Sequence, residues 1–355
     1  MSQVSKNREA VADRTVVGID FGGTKIEVAL ADARGTVLER VRMETRADQG
    51  PDQALDRAVA AARRLERLSL RTHGMAVGAY AAVSPGVIQS DRILLAPNLP
   101  GWERIALARR LERALGAEKV AVCNDVRAGA LAELRFGALR GVDPGVYVSL
   151  GTGVAAALTI GGGVVAGAHR AAGEIGYVDP GGAGADAVAE GHAPLEEIVG
   201  GKALGERASD LLGVGLTAEA LFLRQDAAAR RIVRAALGAL AVAISNIAVF
   251  VDPERIVVGG GMMASADTIL PTLTAHLART VPFPPQVAVA HFVEDASLYG
   301  AVALALDHLD AAHGGRHPGD RSGPAGPRRR ADPGPAGPQS AAGDPVQCAG
   351  ASGRR

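Results

Sequence analysis

The chain is poor in cysteine and aromatic residues and carries no excess of charge. Its 355 residues include two cysteines, and aromatic side chains make up 3%. Cys123 and Cys348 are too few and too distant for a disulfide framework, which indicates a reducing compartment. The 38 basic residues balance the 38 acidic ones, and this balance argues against a dedicated nucleic-acid surface.

Long apolar runs are also missing. No stretch reaches about 18 uninterrupted, strongly apolar residues, so the sequence predicts no membrane span and no membrane partner. Residues 1–14 are polar and lack the apolar core of a signal peptide. We expect a cytoplasmic protein with a flexible N-terminus over 1–14. Hydrophobic residues make up 48% of the chain, enough for a sizeable core.

Residues 312–355 differ from the rest of the chain in composition. They consist mainly of Gly, Pro, Ala, Arg and polar residues, with almost nothing to bury. Such a composition predicts a disordered tail. The tail contains a basic cluster at 328–330. Its low-complexity surroundings favour a solvated tail, and a site for an anionic partner is the alternative.

The pattern between these ends predicts a mixed α/β fold. Two pairs of apolar runs, at 16–21 with 26–31 and at 146–150 with 154–160, each enclose a glycine turn. Two α/β lobes with a central cleft are the economical interpretation. We place the N-terminal lobe at 15–122 and the C-terminal lobe at 123–295. A last helix, at about 296–309, is predicted to pack back on the first lobe.

The first glycine turn carries residues suited to binding phosphate. Gly22 and Gly23 allow backbone N–H groups to approach an anion, and Thr24 and Lys25 add a hydroxyl and a charge. Asp20, at the end of the strand, can hold a divalent cation directly or through water. A Walker A loop is excluded because its spacing is absent. An ordinary glycine hairpin with a chance lysine is the alternative.

Further glycines follow two later strands. The second turn contains Gly151, Thr152 and Gly153, so two turns together could grip a polyphosphate from opposite sides of a cleft. A third group, Gly259, Gly260 and Gly261, follows a buried strand. It could receive a nucleotide base or ribose, or simply permit tight packing.

Asp125 follows Asn124 at the end of a predicted buried strand. The carboxyl ends of strands face the site crevice in α/β proteins, so Asp125 could act as a general base in phosphoryl transfer. Asp is also a favoured N-cap, and Asp125 could cap the helix predicted at 126–136. Position alone leaves both interpretations open.

These segments resemble the ROK family of repressors, open reading frames and sugar kinases. Asp20–Lys25 and Ser149–Gly153 look like the two phosphate loops of that family. PNLPGW (97–102) with Asn124-Asp125 resembles its sugar-binding and catalytic segments, and AAGEIG (171–176) its AAGEIGH stretch. The similarity covers roughly 15–308.

The resemblance implies a two-lobed fold of the actin-like ATPase and hexokinase (ribonuclease H-like) class with a central cleft. It implies a transferase that phosphorylates a hexose hydroxyl with ATP. A glucokinase acting on the 6-hydroxyl is the simplest form, and a kinase of N-acetylmannosamine or another hexose is the alternative. A sugar sensor without catalysis is an alternative of another class.

The resemblance also implies roles for individual residues. Asp125 would deprotonate the sugar hydroxyl, and Asp20 would help to place Mg²⁺. The glycine turns, with Thr24, Lys25 and Thr152, would bind ATP. Tyr177 stands where the family has histidine. The residues expected to contact the sugar are Gly86, Asn98, Asn124, Glu174, Tyr177 and Glu196.

The sequence departs from the family at its zinc motif. No cysteine lies between Tyr177 and Glu196, and the lone His192 is expected to be exposed rather than a ligand. We therefore predict no zinc. About 15 residues precede the first strand, too few for the helix-turn-helix domain of repressor members, so no DNA partner is expected. The resemblance allows a homodimer, but no segment of the sequence locates an interface.

Overall fold

The computed structural model describes residues 13–96 and 99–313. Their strands are β1 (Arg14–Phe21), β2 (Lys25–Ala31), β3 (Val37–Glu44), β4 (Ala76–Ser84), β5 (Val87–Ile88), β6 (Ile93–Leu94), β7 (Ala121–Asn124), β8 (Gly145–Leu150), β9 (Val154–Ile160), β10 (Gly163–Val164), β11 (Arg255–Gly259) and β12 (Gln286–Val289). Their α-helices are α1 (Pro51–Leu68), α2 (Leu107–Leu115), α3 (Asp125–Phe136), α4 (Glu196–Val199), α5 (Gly201–Leu212), α6 (Ala218–Leu223), α7 (Ala227–Val251), α8 (Ala266–Thr280) and α9 (Ala296–Ala312).

The first sheet has five strands in the order β3-β2-β1-β4-β7. β1, β2 and β3 pair antiparallel, whereas β4 and β7 run parallel to β1. The carboxyl ends of β1, β4 and β7 therefore meet at one edge, which is where Asp20, Ser84 and Asn124 lie. This edge brings together polar residues that are distant in the sequence.

The second sheet repeats the arrangement of the first. Its order is β10-β9-β8-β11-β12, with an antiparallel β8–β9 hairpin and with β11 and β12 parallel to β8. Each sheet therefore contains a hairpin whose glycine turn follows its leading strand. The similarity between the two halves of the sequence is thus a similarity of topology.

Helix α7 packs in the core beside the second sheet. By length and composition it could cross a membrane, which the sequence does not predict, but 56% of its most apolar window is buried inside the protein. Leu237, Leu240 and Ile244 are buried with Val146, Val148 and other residues of the second sheet. Core packing therefore accounts for its apolar character.

Helix α9 packs on the first sheet and crosses α3. Leu298, Val302 and Leu306 share an apolar cluster with residues of β1, β2 and β4. At the crossing, Gly300 lies against the Ala128 carbonyl group so closely that a Cβ atom would overlap it. Arg135 of α3 also forms an ion pair with Asp307 of α9. These contacts fix α3 relative to the first sheet.

Several predicted boundaries are wrong. The spacing of the apolar residues predicts one helix over 102–115, but the structure has a 3-10 turn (Trp102–Arg104) followed by α2, because Ile105 is extended. The sequence pattern predicts a strand over 287–293, but β12 ends at Val289. β1 begins at Arg14, within the segment expected to be a flexible N-terminus, and α9 continues to Ala312, the first residue assigned to the tail.

The predicted division into lobes also needs one adjustment. β7 pairs with β4 in the first sheet, so the predicted boundary at 122/123 falls inside a strand of that sheet. The division itself stays a prediction. The rest of the predicted tail, 314–355, lies outside the described residues, as do residues 1–12.

Candidate active site

The β1–β2 turn is closed by its own backbone. The Gly22 N–H donates to the Lys25 carbonyl at 2.9 Å, and the Thr45 hydroxyl donates to the Gly22 carbonyl at 2.6 Å. The Lys25 ammonium group lies 2.6 Å from the buried carboxylate of Glu27, which also pairs with Arg40 at 2.6 Å. Glu27 thus holds the lysine at the mouth of the turn.

Asp20 is a buried carboxylate at the end of β1. Its Oδ2 accepts a hydrogen bond of 2.6 Å from the hydroxyl of Ser297, at the start of α9. Burial raises the pKa of Asp20 to about 7, with smaller contributions from the charges of Asp125 and Glu27, while Ser297 and Lys25 act in the opposite direction. A cation beside Asp20 would stabilise the ionised form that burial disfavours.

Asp125 is the first residue of α3, and it is not the N-cap. The cap is Asn124, whose side-chain oxygen accepts the Arg127 N–H at 3.0 Å, so the capping interpretation of Asp125 is wrong. Asp125 Oδ1 accepts the neighbouring Val126 N–H at 2.9 Å. Burial is the main cause that raises the pKa of Asp125, which leaves it a better proton acceptor than an exposed aspartate.

Three of the predicted sugar-binding residues lie at the carboxyl edge of the first sheet or beside it, and they are Gly86, Asn124 and Glu174. The Asn124 side-chain amide donates to the Gly86 carbonyl at 3.1 Å, which fixes the turn after β4 against α3. Burial and then the charge of Asp125 raise the pKa of Glu174, with a further contribution from Glu196. Glu174 therefore lies within electrostatic reach of Asp125.

Glu174, Tyr177 and Glu196 form a second group. Burial raises the pKa of the Tyr177 phenol, and the charges of Glu174 and Glu196 raise it further. Glu196 Oε2 accepts the Val154 N–H at 2.9 Å, directly after the second glycine turn. The Glu196 carboxylate thus connects the predicted sugar-binding residues to the second glycine turn. Asn98 lies outside the described residues, and its role stays a prediction.

Two cavities extend from this region, and Gly261 borders both. The first, of about 340 Å³, is lined by Lys25 and Asp125 together with Ser149, Gly260 and Ser297, among others. The second, of about 580 Å³, is lined by Gly151, Thr152, Lys202, Phe222 and Met262, among others. Asp125, the candidate base, therefore lines the same cavity as Lys25, which lies beside the first glycine turn. Residues of the second glycine turn line the neighbouring cavity.

The glycines after β11 differ in their surroundings. A Cβ atom at Gly259 would lie 2.7 Å from the Tyr147 hydroxyl, and Gly260, at φ +91°, lies against the Leu150 backbone. Both glycines therefore permit close packing on β8. Tight packing is one of the two interpretations of residues 259–261, and a site for a nucleotide base or ribose is the other. Gly261 has open space beside it. Among the described residues, Gly22, Gly23, Thr24 and Gly153 border neither cavity.

Some residues of the site have no signal in the local sequence. Ser297 contacts Asp20 across 277 positions of sequence, and Arg40 reaches Asp295 across 255 positions, at 2.8 Å. Lys202 enters the second cavity from the start of α5. Only the folded topology places these groups at the site.

The loop expected to lack zinc has its own contacts. His192 Nδ1 lies 2.9 Å from Glu197 Oε1, and both side chains are exposed. Across 13–96 and 99–313, no group of three or more His, Cys, Asp or Glu side chains could hold a metal ion. The absence of zinc stays a prediction.

The pKa of Asp20 predicts a pH-dependent stability. Its ordinary value is 3.8, and in the folded protein it is about 7. Between these values the folded state retains a proton that the unfolded state has lost, so this group lowers stability as pH rises, by about 1.4 kcal/mol per pH unit. Denaturant unfolding from pH 5 to 6.5 should show this decline for the wild type relative to Asp20→Asn. Parallel stability profiles for the two proteins would contradict the assignment.

Gly153→Ala should affect both halves of the site. A Cβ atom at position 153 would overlap the Glu196 carboxylate, which must then leave the Val154 N–H. Losing this partly buried, charge-assisted hydrogen bond costs about 1.5–3 kcal/mol, so we expect ligand affinity to fall about 10- to 100-fold. Calorimetric titration with sugar and with nucleotide measures this loss. Gly215→Ala, with open space at its Cβ and a position that borders neither cavity, is the matched control.

Two sheets of matching topology, each with a hairpin that opens on a glycine turn, define the two-lobed fold of actin-like ATPases and hexokinases. The ROK family model matches residues 16–308. The chain belongs to the ROK family.

Named relatives in this family are sugar kinases. The chain is 31% identical to the bifunctional enzyme NanE/NanK of Brucella melitensis over 83% of its length, but spans only 54% of that protein. It is 32% identical to N-acetylmannosamine kinase of Shigella boydii, covering 82% of this chain and 98% of that one. It is 30% identical to kanosamine kinase of Amycolatopsis mediterranei, covering 81% and 95%.

Two solved structures are similar along nearly their whole length. The ROK hexokinase of Thermus thermophilus has a TM-score of 0.71 and 28% identity, covering 84% of this chain and 99% of that one. A ROK glucokinase of Streptomyces griseus, solved with glucose and AMPPNP, has a TM-score of 0.65 and 26% identity, covering 82% and 99%.

Proposed function

We propose that this ROK protein transfers the γ-phosphoryl group of ATP to a hexose hydroxyl, with Asp125 as the general base. The observation that carries the proposal is the position of Asp125. Its half-buried carboxylate lines the same cavity as Lys25, and its charge acts on Glu174. A base located between a phosphate-binding turn and a sugar-binding group is what phosphoryl transfer to a hydroxyl requires.

The proposed reaction starts at the sugar hydroxyl. Asp125 accepts the hydroxyl proton while the sugar oxygen forms a bond to the γ-phosphorus, and the bond from that phosphorus to the bridging oxygen of ADP breaks. Lys25 lies at the same cavity, where its ammonium group can balance the charge of the phosphoryl oxygens. Glu27 and the turn backbone keep that lysine in place.

Sugar recognition is assigned to the polar groups around Asn124. This group comprises the Gly86 backbone and the side chains of Asn124, Glu174, Tyr177 and Glu196, and Asn98 is assigned to sugar binding from the sequence alone. Each unpaired buried polar group costs about 1–3 kcal/mol, so a sugar that lacks a matching hydroxyl is rejected. We propose glucose phosphorylated at its 6-hydroxyl as the simplest substrate, and N-acetylmannosamine or another hexose as the alternative.

ATP is assigned to the glycine turns and the cavity of about 580 Å³. The cavity combines the turn residues Gly151 and Thr152 with the apolar side chains of Phe222 and Met262. The donor set around Asp20 fits Mg²⁺, which commonly binds one or two carboxylates plus substrate phosphates. When bound, Mg²⁺ would neutralise charge on the transferred phosphates.

The relatives support a sugar and a nucleotide as ligands. Two of them are named for amino sugars, and the glucokinase structure contains glucose and a nucleotide analogue. A sensor without catalysis is the second candidate, because Tyr177 occupies the position of the family's histidine. A cytoplasmic location, a homodimer and the absence of a DNA partner stay predictions.

The test is coupled ADP release from Mg-ATP with glucose, mannose, fructose, glucosamine, N-acetylglucosamine and N-acetylmannosamine. It is run with and without a zinc-selective chelator. We expect sugar-dependent turnover that is unaffected by the chelator, and the preferred sugar identifies the substrate. Sugar binding without turnover, in a folded sample, would replace the kinase by the sensor. Turnover abolished by the chelator would contradict the prediction of no zinc.

A further inference from the structure

Arg127 is a buried cation beside the proposed catalytic base. It lies in the first turn of α3, two residues after Asp125, and it is 5% exposed. In the part of the chain that the structure describes, no carboxylate forms an ion pair with its guanidinium group. Burying a charge without a paired counter-charge is costly, so packing alone does not account for an arginine here.

The guanidinium group contacts the loop that carries Glu174. Arg127 Nη1 donates to the Arg170 carbonyl at 2.5 Å. Arg170 has a left-handed backbone, with φ of 59°, immediately before the 171–176 segment. Gly173 of that segment accepts the Ala156 N–H at 2.7 Å. The loop is therefore held to β9 on one side and to α3 on the other.

The charge of Arg127 also acts on both carboxylates. Burial raises the pKa of Asp125 and of Glu174, and Arg127 opposes this rise at each. The other titratable groups that act on Asp125 or feel its charge come from β1, β7, β8 and the 171–176 loop, and they are Asp20, Cys123, Tyr147 and Glu174. Within the described residues, Arg127 is the cation that acts on both Asp125 and Glu174.

We propose that Arg127 is a positioning residue for phosphoryl transfer, tying the Glu174 loop to the helix that carries Asp125. The contact fixes the distance between the group that orients the sugar and the group that accepts its proton. A second effect is electrostatic, because the arginine keeps both carboxylates able to accept hydrogen bonds or a proton at neutral pH. This inference rests on the proposed kinase function.

Two substitutions separate the effect of the Arg127–Arg170 contact from the effect of the arginine charge. Arg127→Met removes both, and we expect the sugar KM to rise about tenfold or more, because a charged hydrogen bond is lost. The acidic limb of the kcat profile should also move to higher pH, while the ATP KM changes less than twofold. Arg127→Lys retains the charge with a shorter reach. It should restore the acidic limb but leave the sugar KM raised.

Arg255→Lys is the matched control, since Arg255 also donates to a distant backbone carbonyl, that of Ala138 at 2.6 Å, and borders neither cavity of the site. It should leave the sugar KM and the acidic limb unchanged. A merely structural arginine would give variants with lower thermal stability but wild-type KM values and pH limbs, and this result would overturn the proposal. An unchanged sugar KM in a folded Arg127→Met protein would also overturn it.

Failure of the kinase function itself would look different. In that case the wild type would show no sugar-dependent ADP release, whereas failure of this inference leaves wild-type turnover intact. Calorimetric titration of the preferred sugar into wild type and Arg127→Met supplies a readout independent of turnover. We expect weaker sugar binding in the variant. Equal affinities would contradict the proposed role of the contact between Arg127 and the Glu174 loop.

Discussion

Asp125→Asn is expected to lower kcat by about 10²–10⁴-fold, the range supplied by a positioned general base. The substitution keeps the shape of the side chain and removes its ability to accept a proton. Helix α3 should remain intact because Asn124, and not Asp125, supplies the cap to the Arg127 N–H. The loss is therefore expected in turnover and not in folding.

Sugar binding distinguishes loss of the base from loss of the site. The amide oxygen of the Asp125→Asn side chain can still accept the Val126 N–H that the carboxylate accepts at 2.9 Å, so the local backbone should hold. We expect the sugar dissociation constant, measured by calorimetry, to change less than about fivefold, since a single neutral hydrogen bond contributes only about 1 kcal/mol. Coupled ADP release gives kcat for the same samples.

Glu118→Gln is the control for the change from carboxylate to amide. Glu118 lies on the loop before β7 and borders neither cavity among the described residues. Its substitution should leave kcat and sugar affinity at wild-type values. An Asp125→Asn protein with more than a tenth of wild-type kcat would show that another group accepts the proton.

The glycine turns and their flanking strands could be predicted because their signals are local. The strands predicted at 16–21, 26–31, 146–150 and 154–160 lie within or coincide with β1, β2, β8 and β9. Each is a mainly apolar run beside a glycine-containing turn, so chain direction and turn follow from a few adjacent residues. Asp226 before α7 is a similar case, since its side chain accepts the Ala229 N–H as an N-cap.

Contacts between distant segments could not be predicted in this way. Ser297, Arg40 and Arg127 have ordinary neighbours in the sequence, and only the folded chain brings them to Asp20, Asp295 and Arg170. The segments that form helices α4, α5, α6 and α8 likewise show no clear helical pattern in the sequence. Their segments mix glycine, proline or short apolar stretches, as at Pro271 within α8, and tertiary packing outweighs the weak local preference.

The crossing of α3 and α9 explains how these distant contacts depend on one another. α3 begins at Asp125, and α9 begins beside Ser297, the donor to Asp20. The two helices approach at Gly300 and Ala128, where a side chain would not fit. The spacing of the two helices therefore sets the position of the proposed base relative to the first phosphate turn.

Gly300→Ala should destabilise the protein by about 3 kcal/mol or more, because a Cβ atom would overlap the Ala128 backbone and a helix would have to shift. Denaturant unfolding measures the loss, and the surviving folded fraction should have a raised ATP KM. Gly238→Ala is the matched control within α7, where the added methyl group meets no atom within 4 Å.

The two substitutions are expected to act in opposite directions. Alanine is favoured over glycine inside a helix by about 0.5–1 kcal/mol, so Gly238→Ala should stabilise the protein with no change in turnover. The same helix preference applies at position 300, where it is outweighed by the clash with α3. If both substitutions stabilised the protein, the close crossing would be excluded as the feature that holds Asp125 near Asp20.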